Sequence, residues 1–260
     1  MISTRSICPL RVYGLVISSL VSAMLGLSHA DPEKSTAAPL ALFNGTDLEG
    51  WTQRGGKAEY RVVDKQIVGV AKLGTPNSFL CTKRTYGDFI LEYEFNVDTR
   101  LNSGVQIRSN CYDEETSVEW QNKTIRIPAG RVHGYQVEID PDMKRNRHWS
   151  AGIYDEARRG WLFPNANDKP QQEAFSTAGR AAFKPGEWNH VRVEAIGDTI
   201  RTWLNGQPRA DLKDSLTAEG FIALQVHSIG DPSLAGAEVR WRNLQITEIQ
   251  KAASFTQPKP

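Results

Sequence analysis

His133-Gly134-Tyr135-Gln136-Val137-Glu138-Ile139-Asp140-Pro141 alternates in character at every step: Tyr135, Val137 and Ile139 are apolar, while Gln136, Glu138 and Asp140 are polar. Successive side chains of a β-strand point to opposite faces, so this segment reads as a strand with three residues turned to a core and three polar ones gathered on the other surface. The same period runs outward along the chain. Asn102-Ser103-Gly104-Val105-Gln106-Ile107-Arg108 places Val105 and Ile107 inward and Gly104, Gln106 and Arg108 outward. Leu224-Gln225-Val226-His227 sets Gln225 and His227 opposite its two apolar residues.

Further strands follow from the same pattern. Phe89, Leu91, Tyr93, Phe95 and Val97 share a face over residues 88–97, as do Val191, Val193 and Ala195 over residues 187–196. Ile200 to Leu204 enters Asn205-Gly206, a two-residue turn whose left-handed dihedrals match strand twist, and returns over Pro208 to Leu212 as a hairpin. Val239 and Trp241 are out of phase with Leu244 and Ile246, which requires a bulge near Arg242-Asn243 for both pairs to face inward. Helical periodicity is limited to short candidates around Glu156 to Gly160 and Asp214 to Glu219. Many strands without a βα alternation predict an all-β fold of two packed antiparallel sheets.

If the three polar-faced strands are neighbours, Gln106, Arg108, Gln136, Glu138, Gln225 and His227 form one polar floor. Alternating polar residues on a strand are commonly no more than a solvated face, and that reading stands for each position taken singly. Collectively, however, Gln, Arg, Glu and His are fork-like or titratable groups suited to fixing hydroxyls and moving protons. The segment Arg147 to Trp161 adds His148, Trp149, Tyr154 and Trp161, residues that stack and hydrogen-bond. Trp149 or Trp161 is a candidate platform for a sugar ring, against the plainer reading of a hairpin in which Asp155, Glu156, Arg158 and Arg159 neutralise one another.

The ends of the chain read differently. Arg5 and Arg11 precede an apolar stretch, Val12 to Leu27, that closes on Ser28-His29-Ala30, so residues 1–30 are expected to be a signal peptide of bacterial type and the mature chain periplasmic or secreted. The competing reading is a membrane anchor, but the run is interrupted by Tyr13, Ser18, Ser19 and Ser22 and falls short of the roughly 20 residues a span needs. Residues 31–40 read as a linker, 41–250 as one domain and 251–260 as a flexible tail. Once Cys8 leaves with the signal, Cys81 and Cys111 remain, either as one bridge or as two free thiols. A formal net charge of +1 provides no electrostatic footprint for nucleic acid or an anionic membrane, so the expected partner is a small neutral molecule.

Other chemistries lack their residues. His133, His148, His190 and His227 show no zinc-type pairing, and there is neither a Gly-x-Ser-x-Gly elbow nor a phosphate-cradling Gly-rich loop. No cofactor is expected, although Asp140-Pro141-Asp142 has oxygens to offer a hard divalent cation.

Taken in order, Leu42-Phe43-Asn44-Gly45 with Gly50-Trp51, Asn102 through Arg108, Gly134-Tyr135-Gln136 with Glu138, Gly152-Ile153-Tyr154-Asp155-Glu156, Gly186-Glu187-Trp188-Asn189, Trp203-Leu204-Asn205-Gly206 and Gly220 through His227 resemble the 3-keto-disaccharide hydrolase domain family. That resemblance, spanning Leu42 to about Ile249, implies a concanavalin A-like lectin or glucanase jelly roll acting on glycosides whose C3 hydroxyl has been oxidised to a ketone. It further implies cleavage by proton abstraction at C2, elimination and hydration. In that scheme Glu138 or His227 is the base, Arg108 steadies the enolate oxygen, and Gln106, Gln136 and Tyr154 position the sugar, with Gln225, Trp149 and Asp140 nearby. Two alternatives stand beside it. One is a non-catalytic carbohydrate-binding module, and the other is a conventional endo-glucanase, which Glu138-Ile139-Asp140 resembles until Pro141 and Asp142 replace the second Glu of that pattern.

Overall fold

A computed structural model describes residues 38–144 and 146–250, together with Met1. The expected signal peptide beyond Met1, most of the linker and the tail lie outside the described residues. Within them the period-two segments are strands: β1 (Leu40–Ala41), β2 (Trp51–Gly55), β3 (Glu59–Val63), β4 (Gln66–Val70), β5 (Ser78–Tyr86), β6 (Phe89–Val97), β7 (Ser103–Asn110), β8 (Thr116–Trp120) and β9 (Lys123–Ile127). After these come β10 (His133–Ile139), β11 (Ile153–Glu156), β12 (Gly160–Phe163), β13 (Asn189–Ile196), β14 (Thr199–Leu204), β15 (Gln207–Lys213), β16 (Gly220–Val226) and β17 (Glu238–Glu248).

Two antiparallel sheets result, plus a ribbon of β8 and β9. One sheet runs β15-β14-β13-β6-β17-β4-β3, with β1 also on β17, and the other runs β12-β11-β10-β7-β16-β5-β2. In the second sheet β7 lies between β10 and β16, so the three polar-faced segments of the sequence are indeed adjacent strands. Their inward residues, Val105, Ile107, Tyr135, Val137, Ile139, Ile222 and Leu224, join Phe89, Leu91, Tyr93, Phe95, Val191 and Val193 in one buried cluster. The Tyr60 hydroxyl on β3 donates to the Leu224 carbonyl (2.8 Å) and accepts from the Val226 N–H (3.2 Å), clamping the two sheets together.

The Asn205-Gly206 hairpin joins β14 to β15 as expected. The bulge is also present: the β17 register shifts between Arg242 and Gln245, Asn243 has a positive φ of 52°, and Val239, Trp241, Leu244 and Ile246 are all buried. Neither expected short helix forms. Residues 157–159 are the turn between β11 and β12, and 214–219 are irregular.

The helix among the described residues is instead α1, Lys169–Ala182. Asp168 caps it by accepting the Gln171 N–H at 2.9 Å, and Pro170 is pre-set for its first turn. Its buried face is small, formed by Phe175, Ser176, Gly179 and Ala182. A Cβ on Gly179 would come within 2.0 Å of the His148 carbonyl, so only glycine allows the helix this close to the 147–151 loop. Arg209 fastens the same loop by donating to the carbonyls of His148 (3.0 Å), Ser150 (3.1 Å) and Phe175 (2.9 Å). The helix thereby anchors the loop that carries Arg147. Cys81 and Cys111 are both free thiols, the first buried and the second partly exposed.

Candidate functional site

The outer face of β10, flanked by Asn102 just before β7 and His227 just after β16, is the floor of a cavity of about 440 Å³, within the usual size range of small-molecule sites. Gln136 is its organising residue. Its Oε1 accepts from Gln106 Nε2 (2.6 Å) and Gln225 Nε2 (2.8 Å), which leaves its own Nε2 to donate to Glu138 Oε2 at 2.7 Å. Asn102 Nδ2 donates to the other carboxyl oxygen of Glu138 at 2.5 Å. The register places Gly104 between Glu138 and Gln225, where a Cβ would lie 2.6 Å from Gln136 Cδ. Glycine thus opens the slot in which the Gln136 amide lies. Gly104→Ala is expected to displace that amide and break its bond to Glu138 while the circular dichroism spectrum stays that of the wild type; a structure of the variant measures the displacement.

Glu138 is only 4% exposed. Burial, reinforced by the neighbouring Asp140 carboxylate, pushes its pKa up to about 8, against the opposing pull of Asn102, Gln136 and Arg147. At neutral pH the carboxyl therefore keeps its proton. The walls are Tyr154 on β11, Glu156 at its end, Arg131, Arg147, Trp161 on β12, Asn77 and His227. His227 Nδ1 lies 2.7 Å from the Ser228 carbonyl, which can only accept, so Nδ1 carries a hydrogen and Nε2 is the nitrogen left for another partner. Glu156 pairs with Arg131 at 2.5 Å, and burial raises its pKa despite that pairing. The arrangement gathers a buried carboxyl, an imidazole nitrogen, two guanidiniums and aromatic side chains around one cavity.

The 3-keto-alpha-glucoside-1,2-lyase-like domain matches residues 39–247. The chain belongs to this family. No match was found among curated proteins. Solved structures similar to this chain include a protein of unknown function with a galectin-like fold from Bacillus subtilis (9% identity, 84% of this chain and 99% of that one, TM-score 0.52). They also include a protein described as a glycosyl hydrolase from Parabacteroides distasonis ATCC 8503 (20%, 82% and 100%, 0.49) and the carbohydrate-binding module CBM66 from Bacillus subtilis (16%, 75% and 93%, 0.46). The galectin-like match supports the jelly-roll fold.

Within this lyase-like domain the residues anticipated from sequence are only partly brought together. Glu138, Gln136, Tyr154 and His227 line the cavity. Gln106 and Gln225 are fully buried beneath Gln136 and orient it rather than reaching the space above. Asp140 is also buried and holds Arg147, which contacts its Oδ2 through Nε (2.7 Å) and Nη2 (2.5 Å). Trp149 sits behind the wall, its indole N–H bonded to Ser176 Oγ at 2.9 Å and its ring edge-on to Trp161 at 4.6 Å, so half-buried Trp161 is the one of the two that lines the cavity.

Arg108 is a correction. The pairing of β7 with β16 jumps from Gln106↔Ala223 to Ser109↔Phe221, and Arg108 has a φ of 44°, so the alternation breaks and Arg108 turns away from the floor while Ser109 returns to it. The Arg108 side chain is fully buried, bonded to the carbonyls of Gly87 and Gly197 (both 2.8 Å) and to Asp88 Oδ1 (2.9 Å), Gly87 and Asp88 forming the bend between β5 and β6. Arg131, Arg147, Asn77 and Glu156 were missed from sequence. Glu156 alone carried a readable signal, since it shares the outward phase of Tyr154, whereas Asp155 turns inward to Arg158 (2.8 Å) and Arg159 (2.5 Å).

Among the described residues no group of three or more His, Cys, Asp or Glu side chains is placed to hold a metal ion. No helix among them is long and apolar enough to cross a membrane.

Proposed function

We propose that the cavity binds a 3-keto glycoside and cleaves it by elimination and hydration, with His227 as base and Glu138 as acid. The supporting observation is that two complementary groups line one cavity: the buried carboxyl of Glu138, whose pKa burial pushes up to about 8, and the imidazole of His227, whose Nδ1 is engaged by the Ser228 carbonyl so that Nε2 is the nitrogen left open. A ketone at C3 acidifies the C2–H. His227 Nε2 takes that proton, the electron pair forms C1=C2, and the C1–O bond breaks as its oxygen receives the proton of Glu138. Arg131 and Arg147 supply the guanidiniums that face the enolate oxygen, in place of Arg108. Water then adds at C1 while C2 regains a proton, leaving the 3-keto sugar.

Gln136, fixed by three amide and carboxyl bonds, and Tyr154 and Trp161 on the wall orient the ring. Asp140 on the Glu138 strand is occupied by Arg147, and Glu156 by Arg131, so neither is set up as the free second carboxylate of a conventional glycosidase. The test is to incubate the domain with matched native and 3-keto glycosides. Aglycone released from the keto form alone supports the proposal. Release from the native form contradicts it, and affinity without turnover of either would make the domain a binding module.

The direction of the pH dependence separates the two carboxyl roles. As an acid, Glu138 must be protonated, so kcat/KM is expected to fall as pH rises through about 8. A rise through the same range would make Glu138 the base.

A further inference from the structure

We infer that a second cavity, adjoining the first at Asn102, seats the leaving group and prefers an uncharged, apolar, ring-sized aglycone to a second sugar. This rests on the carbohydrate reading given above and adds the substrate class. The cavity measures about 640 Å³ and is formed by three loops, its lining including Arg100, Leu101, Asn102, Met143, Leu234 and Asp231. Asn102 belongs to both cavities and donates to Glu138 Oε1 at 2.5 Å. The acid that would protonate the departing oxygen therefore stands at the junction, with the sugar on one side and open space on the other.

The chemistry of the two cavities differs. The first is lined by amides, carboxyls and guanidiniums. The second has Leu101 buried in its wall, Leu234 half-buried beside it and Met143 48% exposed. Asp142 and Lys144 stand at its edge beside Met143, and two further charged groups, Arg100 and Asp231, are engaged elsewhere. Arg100 is bonded to both carboxyl oxygens of Asp98 (2.9 and 2.6 Å), and Asp231 caps the short turn Pro232–Leu234 by accepting the Ser233 N–H at 2.9 Å. A second sugar needs polar partners for several hydroxyls, whereas a flat apolar group needs adaptable surface, which the Met143 thioether and the two leucines supply.

The test compares benzyl and methyl 3-keto-glucosides, whose leaving alcohols are of nearly equal acidity, in the wild type and in Met143→Asp, an exposed position outside the catalytic groups. The benzyl glycoside is expected to exceed the methyl in kcat/KM on the order of tenfold, and Met143→Asp to remove most of that preference, its loss falling mainly on the benzyl form. A parallel calorimetric titration uses unoxidised benzyl glucoside, methyl glucoside and a glucosyl-glucose disaccharide. Tightest binding of the benzyl glucoside, lost in Met143→Asp, supports the cavity assignment even if neither keto glycoside is cleaved, in which case only the lyase reading falls. Equal handling of benzyl and methyl forms, tighter binding of the disaccharide, equal loss on both in the variant, or no binding at all would overturn the assignment.

Discussion

Replacing Glu138 with Gln is expected to lower kcat/KM on an alkyl 3-keto glycoside by about 10²- to 10⁴-fold, the usual contribution of a positioned general acid. An amide cannot donate the proton that the leaving oxygen needs. The loss should shrink for a nitrophenyl glycoside, whose leaving oxygen departs without protonation. Stability provides an independent readout. The folded pKa of Glu138, about 8, lies above its ordinary value of 4.5, so the protonated group contributes fully below about 4.5 and that contribution is lost as pH rises through about 8. Glutamine does not titrate. Thermal unfolding of the wild type should therefore decline relative to Glu138→Gln across that window, and parallel curves would show that the carboxyl is not buried as described.

The second large effect concerns Arg108, and it is on folding. Arg108→Met removes the cation that Asp88 faces and leaves the Gly87 and Gly197 carbonyls without their guanidinium donors. Breaking a buried pair by removing one partner costs about 3–5 kcal/mol. Asp88 keeps a bond from the Gly197 N–H (2.9 Å) and is 18% exposed, which favours the lower end of that range. Denaturant unfolding measures the cost, and the fraction that folds should turn over substrate with an unchanged kcat. A variant as stable as the wild type but inactive would return Arg108 to the chemistry.

The contrast between Glu138 and Arg108 marks where sequence reading succeeds and where it ends. Alternation located β10, β7 and β16, and β10 keeps a regular pleat from Tyr135 to Ile139, so Gln136 and Glu138 emerge where period two puts them. β7 does not keep its pleat. One irregularity after Ile107 sends Arg108 to the opposite side, and nothing in Gln106-Ile107-Arg108-Ser109 announces it. In β17 a bulge was legible because hydrophobic residues changed phase across it; in β7 the residue that changed side is polar, so no apolar pattern recorded the shift.

Depth was equally hidden. Gln106, Gln225 and Asp140 all face the expected way, yet the crowding of neighbouring strands and the 147–151 loop decides which side chains reach open space. Arg131 and Arg147 come from loops, where no periodicity assigns a direction. Helix α1 was not anticipated, because a buried face containing Gly179 and Ala182 has too little apolar contrast to register as a stripe.

Solvent deuterium provides the sharpest test of the proposed elimination in this cavity. Cleavage of a 3-keto glycoside in heavy water, with product recovered early, should give a 3-keto sugar bearing one deuterium at C2, because that carbon surrenders its proton and takes another back. Product that retains its original hydrogen at C2 would mean that the bond broke by attack at C1, and would contradict the elimination route assigned to His227 and Glu138.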